Sequence, residues 1–345
     1  MSAKLGRLEQ LRGAASFYVF VHHYVRHNLP EAPGVARFFV FGQVAVLLFF
    51  LLSGFVIHYS ALRRGGLQAR DYFVRRFRRI YPVFAIALAL SYVSACVKAG
   101  AFVPPELGAL GLNLLQLQGL DRDPGQWVDC YMGNEPLWSL SYEWWFYVLF
   151  FVVFVRTAGP QGRWKWASLI SLAGLVCDVV WPNPLSLMAS YFVLWWIGAE
   201  MASQWVDEGR VTLRRQAPAL LGASVVTAGW VGVALYRAQQ VGAFDAYHHP
   251  GITARHFVTT LMVVGVGWAW VRMGGFGLKT LLWPFGRIAP FSYALYVMHL
   301  PFIFIAKTAS TGWGLLDFLW ITPLLFALCW VVEQPLQKRI NAWIR

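Results

Sequence analysis

The chain has 345 residues, 58% of them hydrophobic and only 13% charged. A soluble globular domain carries about 25% charged residues, so a water-soluble globule is excluded and a polytopic membrane protein is expected, with apolar runs recurring from end to end. The net charge of +13 is not a nucleic-acid signal, because most basic residues fall in alternate loops, as membrane topology requires.

In chain order, ten helical spans are expected, at about 11–28, 36–60, 80–100, 137–156, 166–182, 185–205, 217–236, 255–272, 287–307 and 315–333. Eighteen Trp and fourteen Tyr suit aromatic belts at the two membrane surfaces. The first run carries Arg12 and paired histidines and has no small-residue cleavage site, so it is not a removable signal. Short loops make this one membrane domain. With the N-terminus inside, the inner segments collect Lys4 and Arg7, then the groups Arg63–Arg79, Arg156–Lys165, Arg210–Arg215, Arg272–Arg287 and Lys338–Arg345. The outer side receives about a third as many, which places both ends in the cytoplasm. The apolar stretch from Leu107 to Leu120 is too short to cross and is expected to be interfacial or re-entrant. Counting it as a span would move every later loop to the other side and destroy the charge bias. After it, the acidic, turn-rich segment from Asp121 to Asp129 reads as an outer loop.

The first span holds Arg12 and His23. Ionisable residues inside a span are costly and mark functional sites. Eleven residues of helix make about three turns, so the two share a face roughly 16 Å apart. That places a fixed cation near one surface and a titratable imidazole near mid-depth. Imidazole titrates near neutral pH, which makes His23 the candidate general base; the alternative is a hydrogen bond that merely packs helices. His27 follows one turn later on the same face, and His22 points about 100° away.

The stretch from Tyr72 to Pro82 carries Arg75, Arg76, Arg78 and Arg79. Arg76 and Arg79 share a helix face, and guanidinium forks suit phosphate. Ordinary anchoring at the inner surface is the other reading, but the density of arginines exceeds what topology needs. The stretch from Pro136 to Tyr147 enters the membrane from outside and carries Trp138, Ser139, Ser141 and Glu143. Glu143 lies about 9 Å into its span, where a carboxylate must be paired or protonated. It either orients a histidine, holds an acceptor hydroxyl or staples two helices.

Further on, Ser292, Tyr296 and His299 fall near one face of a span that starts inside. His299 sits about 18 Å along it, at the depth of His23; a structural polar cluster and a substrate site are both open. Glu333 closes the last span and reads as the partner of a cytoplasmic arginine, and Ser53-Gly54 as a point of close helix approach. Cys96, Cys130, Cys177 and Cys329 have no metal-ligand spacing. No zinc motif, Walker loop, dinucleotide fingerprint or G-x-S-x-G elbow occurs, and no metal is expected. An intramembrane His and Glu also suit a proton-coupled transporter or flippase, although internal repeats and broken helices do not stand out.

These motifs, in this order, resemble the integral-membrane acyltransferase-3 family. Arg12 and His23 match its Arg and His eleven residues apart. Ser53-Gly54-Phe55 matches its Ser-Gly-Phe, and Phe73 to Pro82 matches its arginine stretch, with the pair falling here at Arg75 and Arg76. Trp138 to Glu143 matches W-S-L-S-x-E; Ser292, Tyr293, Tyr296 and His299 match S-Y-x-x-Y-x-x-H; Glu333 and Pro335 match E-x-P. The resemblance covers nearly the whole chain, and while each motif alone is weak, the ordered set is specific. It implies transfer of an acyl group, most simply acetyl, from cytoplasmic acyl-CoA to a hydroxyl on a polysaccharide, glycolipid or small glycosylated acceptor, in the bacterial cytoplasmic membrane. It makes His23 the base, with Arg12 and Glu143 assisting; Arg75, Arg76 and Arg79 hold CoA phosphates; Trp138, Ser141, Tyr296 and His299 lie on the acceptor side. Some relatives carry a C-terminal SGNH hydrolase-like domain, which is not expected here because the chain continues only about ten residues past its last span.

Overall fold

The computed structural model describes residues 3–29, 33–39, 41–120, 122–157, 159 and 162–343. Asp121 and Arg345, two of the loop charges considered above, lie outside them. The protein is an all-α polytopic membrane protein. Its first helices are α1 (Ala3–Asn28), α2 (Gly42–Arg63), α3 (Ala69–Ala99) and a short α4 (Leu107–Leu114). Then come α5 (Trp138–Arg156), α6 (Arg163–Val180), α7 (Pro184–Glu208), α8 (Leu213–Val241) and α9 (Gly251–Arg272). Last are α10 (Ser292–Ala306), α11 (Gly314–Val331) and α12 (Gln337–Trp343).

Among the described residues, eight helical segments are long and apolar enough to cross a membrane. Helices α1 and α6 have comparable lengths of 26 and 18 residues but carry more polar residues: Arg12 and the histidines in α1, and Arg163, Lys165 and Asp178 in α6. With these two, the long helices match the ten expected spans in order. Two starts differ from expectation. Helix α3 begins at Ala69, well before residue 80, because hydropathy marks the bilayer edge while the helix continues through the arginine stretch. Helix α10 begins only at Ser292, after two 3-10 turns over Trp283–Arg287 and Ala289–Phe291. Pro284 and Pro290 sit at the starts of those turns and prevent an earlier continuous helix.

The apolar stretch after α3 is re-entrant. Tyr92 of α3 donates to the Val103 carbonyl at 2.8 Å, and Tyr81 donates to the Leu114 carbonyl at 2.9 Å. Those tyrosines are eleven residues apart, so the segment descends about 16 Å alongside α3. It returns through a two-residue strand β1 (Gln118–Gly119), paired in parallel with β2 (Val128–Asp129). Non-helical backbone at this depth needs its carbonyls satisfied; besides Tyr81, Trp145 donates to Gln116 at 2.9 Å. Nearby, Cys130 donates to the Gly119 carbonyl at 3.1 Å, and burial pushes its thiol pKa up, which makes it an unreactive packing group.

Two helices contain prolines whose lost hydrogen bonds are replaced from elsewhere. Pro82 cannot donate to the Arg78 carbonyl, and Gln337 donates to it at 2.9 Å. Pro301 cannot donate to the Val297 carbonyl, and Asn134 donates to it at 2.9 Å.

Helix α7 is enclosed by α2 and α6. Ser53-Gly54 does mark a close approach: a Cβ on Gly54 would lie 2.1 Å from the Trp195 carbonyl oxygen, and one on Gly198 would lie 1.9 Å from that of Leu51. Two glycines thus let α2 and α7 meet backbone to backbone. Gly198→Leu is therefore expected to destabilise the purified protein by about 1–3 kcal/mol or more and so to lower its thermal midpoint. Gly232→Leu, at a position with open space around it, is the control, read by size-exclusion chromatography after a heating series. Equal midpoints would contradict the role of the crossing.

Candidate active site

Helix α10 packs between α1 and α3, so three polar faces meet. At the basic, cytoplasmic end, Arg12 Nε donates to Ser292 Oγ at 3.0 Å and Nη2 to the Ala289 carbonyl at 3.3 Å. Gly13 allows this approach, since a Cβ there would lie 2.3 Å from the Phe285 carbonyl oxygen. On the other side of the α10 start, a π-helical turn over Val332–Leu336 aims Glu333 inward. Glu333 Oε2 accepts from the Ala294 backbone N–H at 2.7 Å, and Oε1 from Arg79 Nη1 at 2.6 Å. The carboxylate thus caps the first turn of α10, where the helix dipole favours an anion. Glu333 is indeed paired with an arginine from the cytoplasmic stretch.

Arg79 spends one nitrogen on Glu333 and stacks over the Tyr293 ring at 5.5 Å. Arg75 lies 4.0 Å from Asp71 on the exposed flank. Arg76 has no carboxylate partner among the described residues. Its guanidinium carbon lies 5.7 Å from the ring centres of both Tyr72 and Tyr147, and its Nε is buried without a hydrogen-bond partner. The far end of Tyr147 leads deeper: its hydroxyl donates to Glu143 Oε1, which also accepts from Ser53 Oγ at 3.0 Å. Glu143 therefore joins α5 to α2, and no hydrogen bond links it to His23 among the described residues.

Nearer the outer surface, His23 Nδ1 lies 2.9 Å from the Val19 carbonyl and 3.1 Å from His299 Nε2. His299 Nδ1 lies 2.9 Å from the Leu295 carbonyl. A carbonyl oxygen only accepts, so each Nδ1 carries the hydrogen. In a neutral ring that leaves Nε2 as the lone-pair nitrogen. His23 Nε2 has no hydrogen-bond partner among the described residues, and the side chain is half-buried while His299 is fully buried. His23 is thus an oriented imidazole with its basic nitrogen unoccupied. His22 is committed elsewhere, bonding the Phe39 carbonyl and packing its ring on Gly42, where a Cβ would lie 2.7 Å away.

The four expected acceptor-side residues divide. Tyr296 joins the histidine pair, with its ring centre 6.3 Å from that of His299 and its hydroxyl 2.6 Å from Ser139 Oγ. Ser141 is fully buried and donates to the carbonyls of Gln118 and Trp138 at 2.8 and 2.6 Å, where it ties the re-entrant segment to α5. Trp138 stacks on His256 at 6.1 Å and lines a small outer cleft with Gln43, Arg122, Asp123 and Tyr191. Burial raises the Asp123 carboxyl pKa there. Tyr147, Ser53 and Ser139 gained no site role from sequence. Tyr147 lies four residues after Glu143, a helix-neighbour spacing that signals their contact, but Ser53 and Ser139 carry no such signal.

A family model described as an acyltransferase domain matches residues 5–334. An acyltransferase, MdmB, from Streptomyces mycarofaciens is 30% identical over 182 residues, 50% of this chain and 46% of that protein. An O-acetyl transferase of Shigella phage Sf6 is 35% identical over 79 residues, 23% of each chain. The matched stretches thus span less than half of these relatives. No solved structure matches. The family match spans α1 to Glu333 and so takes in every group described at the cytoplasmic end and the histidine pair. The chain belongs to the acyltransferase-3 family.

Proposed function

We propose that the enzyme transfers an acyl group, most simply acetyl, from cytoplasmic acyl-CoA to a hydroxyl of a carbohydrate or glycosylated acceptor, in a bacterial cytoplasmic membrane. The observation that carries this reading is the unoccupied Nε2 of His23 on an imidazole whose Nδ1 is already engaged. Nε2 takes the proton of the acceptor hydroxyl as its oxygen bonds the acyl carbon; the carbon–sulfur bond of the thioester breaks, and the CoA thiolate takes that proton back from His23. Donor phosphates are anionic and stay at the basic surface. The unpartnered Nε of Arg76 and the free nitrogens of Arg79 are suited to them, with Arg75 at the rim. The Arg76–Tyr147–Glu143 chain runs inward from the arginine stretch, which supports entry of the pantetheine arm along it. Arg12 is held by Ser292 and Ala289, roughly 16 Å along α1 from His23, so it acts as a fixed positive charge at the donor's anionic end rather than at the reacting thioester. Trp138 in the outer cleft, with Tyr296 below it, faces the acceptor.

The test is binding of radiolabelled acetyl-CoA to purified protein, wild type beside Arg76→Ala and His23→Ala. Saturable binding weakened about tenfold by Arg76→Ala, and unchanged by His23→Ala, is expected, since one charge-assisted contact is worth about 1.5–3 kcal/mol. Absence of binding to folded wild type would overturn the donor assignment, and equal loss in both variants would overturn the division between binding and chemistry.

A further inference from the structure

The histidine pair has a consequence for catalysis. Resting on His23 as the base, we propose that His299 is a positioning residue: it accepts the Nδ1–H of His23, aims the ring and shares the positive charge that ring gains when it takes the acceptor's proton. His299 Nδ1–H is committed to the Leu295 carbonyl at 2.9 Å, so a lone pair stands on Nε2, 3.1 Å from His23 Nδ1. The Val19 carbonyl of α1's own turn also lies near His23 Nδ1, so the single Nδ1–H is shared between it at 2.9 Å and His299 Nε2 at 3.1 Å. His299 is the acceptor that comes from another helix, so it ties the base to α10.

The His299 ring is itself fixed. It is fully buried, with Phe20 edge-on at 6.4 Å and Tyr296 at 6.3 Å between ring centres. A hydrogen bond strengthens when its donor becomes charged, roughly doubling relative to a neutral pair. The Nδ1–H···Nε2 bond is therefore worth more once His23 has taken the proton than before, which is the condition for lowering a barrier rather than only tightening binding. The groups facing His23 are His22 at 4.9 Å, His27 at 6.5 Å and His299 at 4.9 Å between ring centres. None is a carboxylate; Glu143 is held instead by Ser53 and Tyr147. A neutral ring thus occupies the place a carboxylate takes in Ser-His-Asp sites.

The pairing is read directly by solid-state nitrogen NMR on the full chain in lipid nanodiscs, with histidine labelled by ¹⁵N and His23 assigned by difference from His23→Gln. The expected result is a Nδ1–H form of His23 and a ¹⁵N–¹⁵N coupling across the bond to His299, lost in His299→Leu. A Nε2–H form of His23, or no coupling in wild type, would overturn the pairing. Its catalytic weight is read by acetyl-CoA turnover. His299→Leu is expected to lower kcat about 100-fold with acetyl-CoA affinity unchanged, and His299→Gln, whose side-chain carbonyl accepts the same proton, to recover most of the rate. Parallel loss of folded yield and donor affinity without rescue by Gln would mark a purely structural residue. Retained turnover in His23→Gln would remove the base and this role together. A dead His23→Gln beside a full-rate His299→Leu would remove only the role of His299.

Discussion

His23→Gln is expected to lower acyl transfer about a thousandfold while leaving acetyl-CoA affinity unchanged, because positioned general bases contribute about 10²–10⁴ in rate. Glutamine has a similar reach and its amide can still donate to the Val19 carbonyl, but it offers no basic nitrogen at the position of Nε2. The neighbouring substitution His22→Gln separates chemistry from packing. His22 bonds the Phe39 carbonyl and rests on Gly42, so its replacement is expected to cost no more than about tenfold, through displacement of α1 against α2. Initial rates of radiolabelled acetyl release by equal amounts of folded protein decide the matter. If His23→Gln keeps a third of the wild-type rate, or if His22→Gln is the more damaging change, the base has been misassigned.

The second large effect is on stability. Glu333→Leu is expected to destabilise the protein by about 3 kcal/mol, the lower part of the range for breaking a buried ion pair. The Glu333 side chain is 1% exposed, whereas that of Arg79 is 37% exposed, so water reaches one partner and softens the loss. Two bonds disappear together: the one to Arg79 and the cap on the Ala294 N–H. Glu333→Gln keeps an oxygen for Ala294 and is expected to cost roughly half as much. Because the partners are coupled, Arg79→Leu combined with Glu333→Leu is expected to cost less than the sum of the two single changes. Denaturation midpoints of the four variants in one detergent provide the comparison; additive single and double changes would show that the pair contributes nothing of its own.

Much of this architecture is written in hydropathy and spacing. The ten long helices follow the apolar runs, and the short run after α3 is too brief to cross and does turn back. Arg12 and His23 share a face because eleven residues make three turns, and His299 meets His23 because both spans start from the same side. What the sequence does not carry is which face meets which. Trp138 and Ser141 lie three residues apart in one motif, yet one lines the outer cleft and the other binds the re-entrant segment. Ser53 reads as a neighbour of a packing glycine and proves also to be a donor to Glu143. Arg12 reads as a fixed cation near one surface and proves to be tied to Ser292. Each of these depends on helix crossing positions, which local periodicity leaves open.

Two prolines whose lost helix bonds are replaced from distant parts of the chain, Pro82 and Pro301, bear on the order in which the protein is made. A span normally brings all its backbone partners with it and is self-sufficient once in the bilayer. Helix α3 is finished from elsewhere at its basic end, where the Arg78 carbonyl takes its bond from Gln337, 259 residues later in the chain. The Val297 carbonyl of α10 is met by Asn134, which has been translated long before it. The stretch that carries Arg76 and Arg79 is thus made early but finished late, only when Gln337 arrives. At about 5–20 residues per second, many seconds separate synthesis of the arginine stretch from that of Glu333 and Gln337, during which the nascent chain lacks the geometry proposed to grip the donor. Synthesis itself delays assembly of the donor end until the rest of the enzyme is in place.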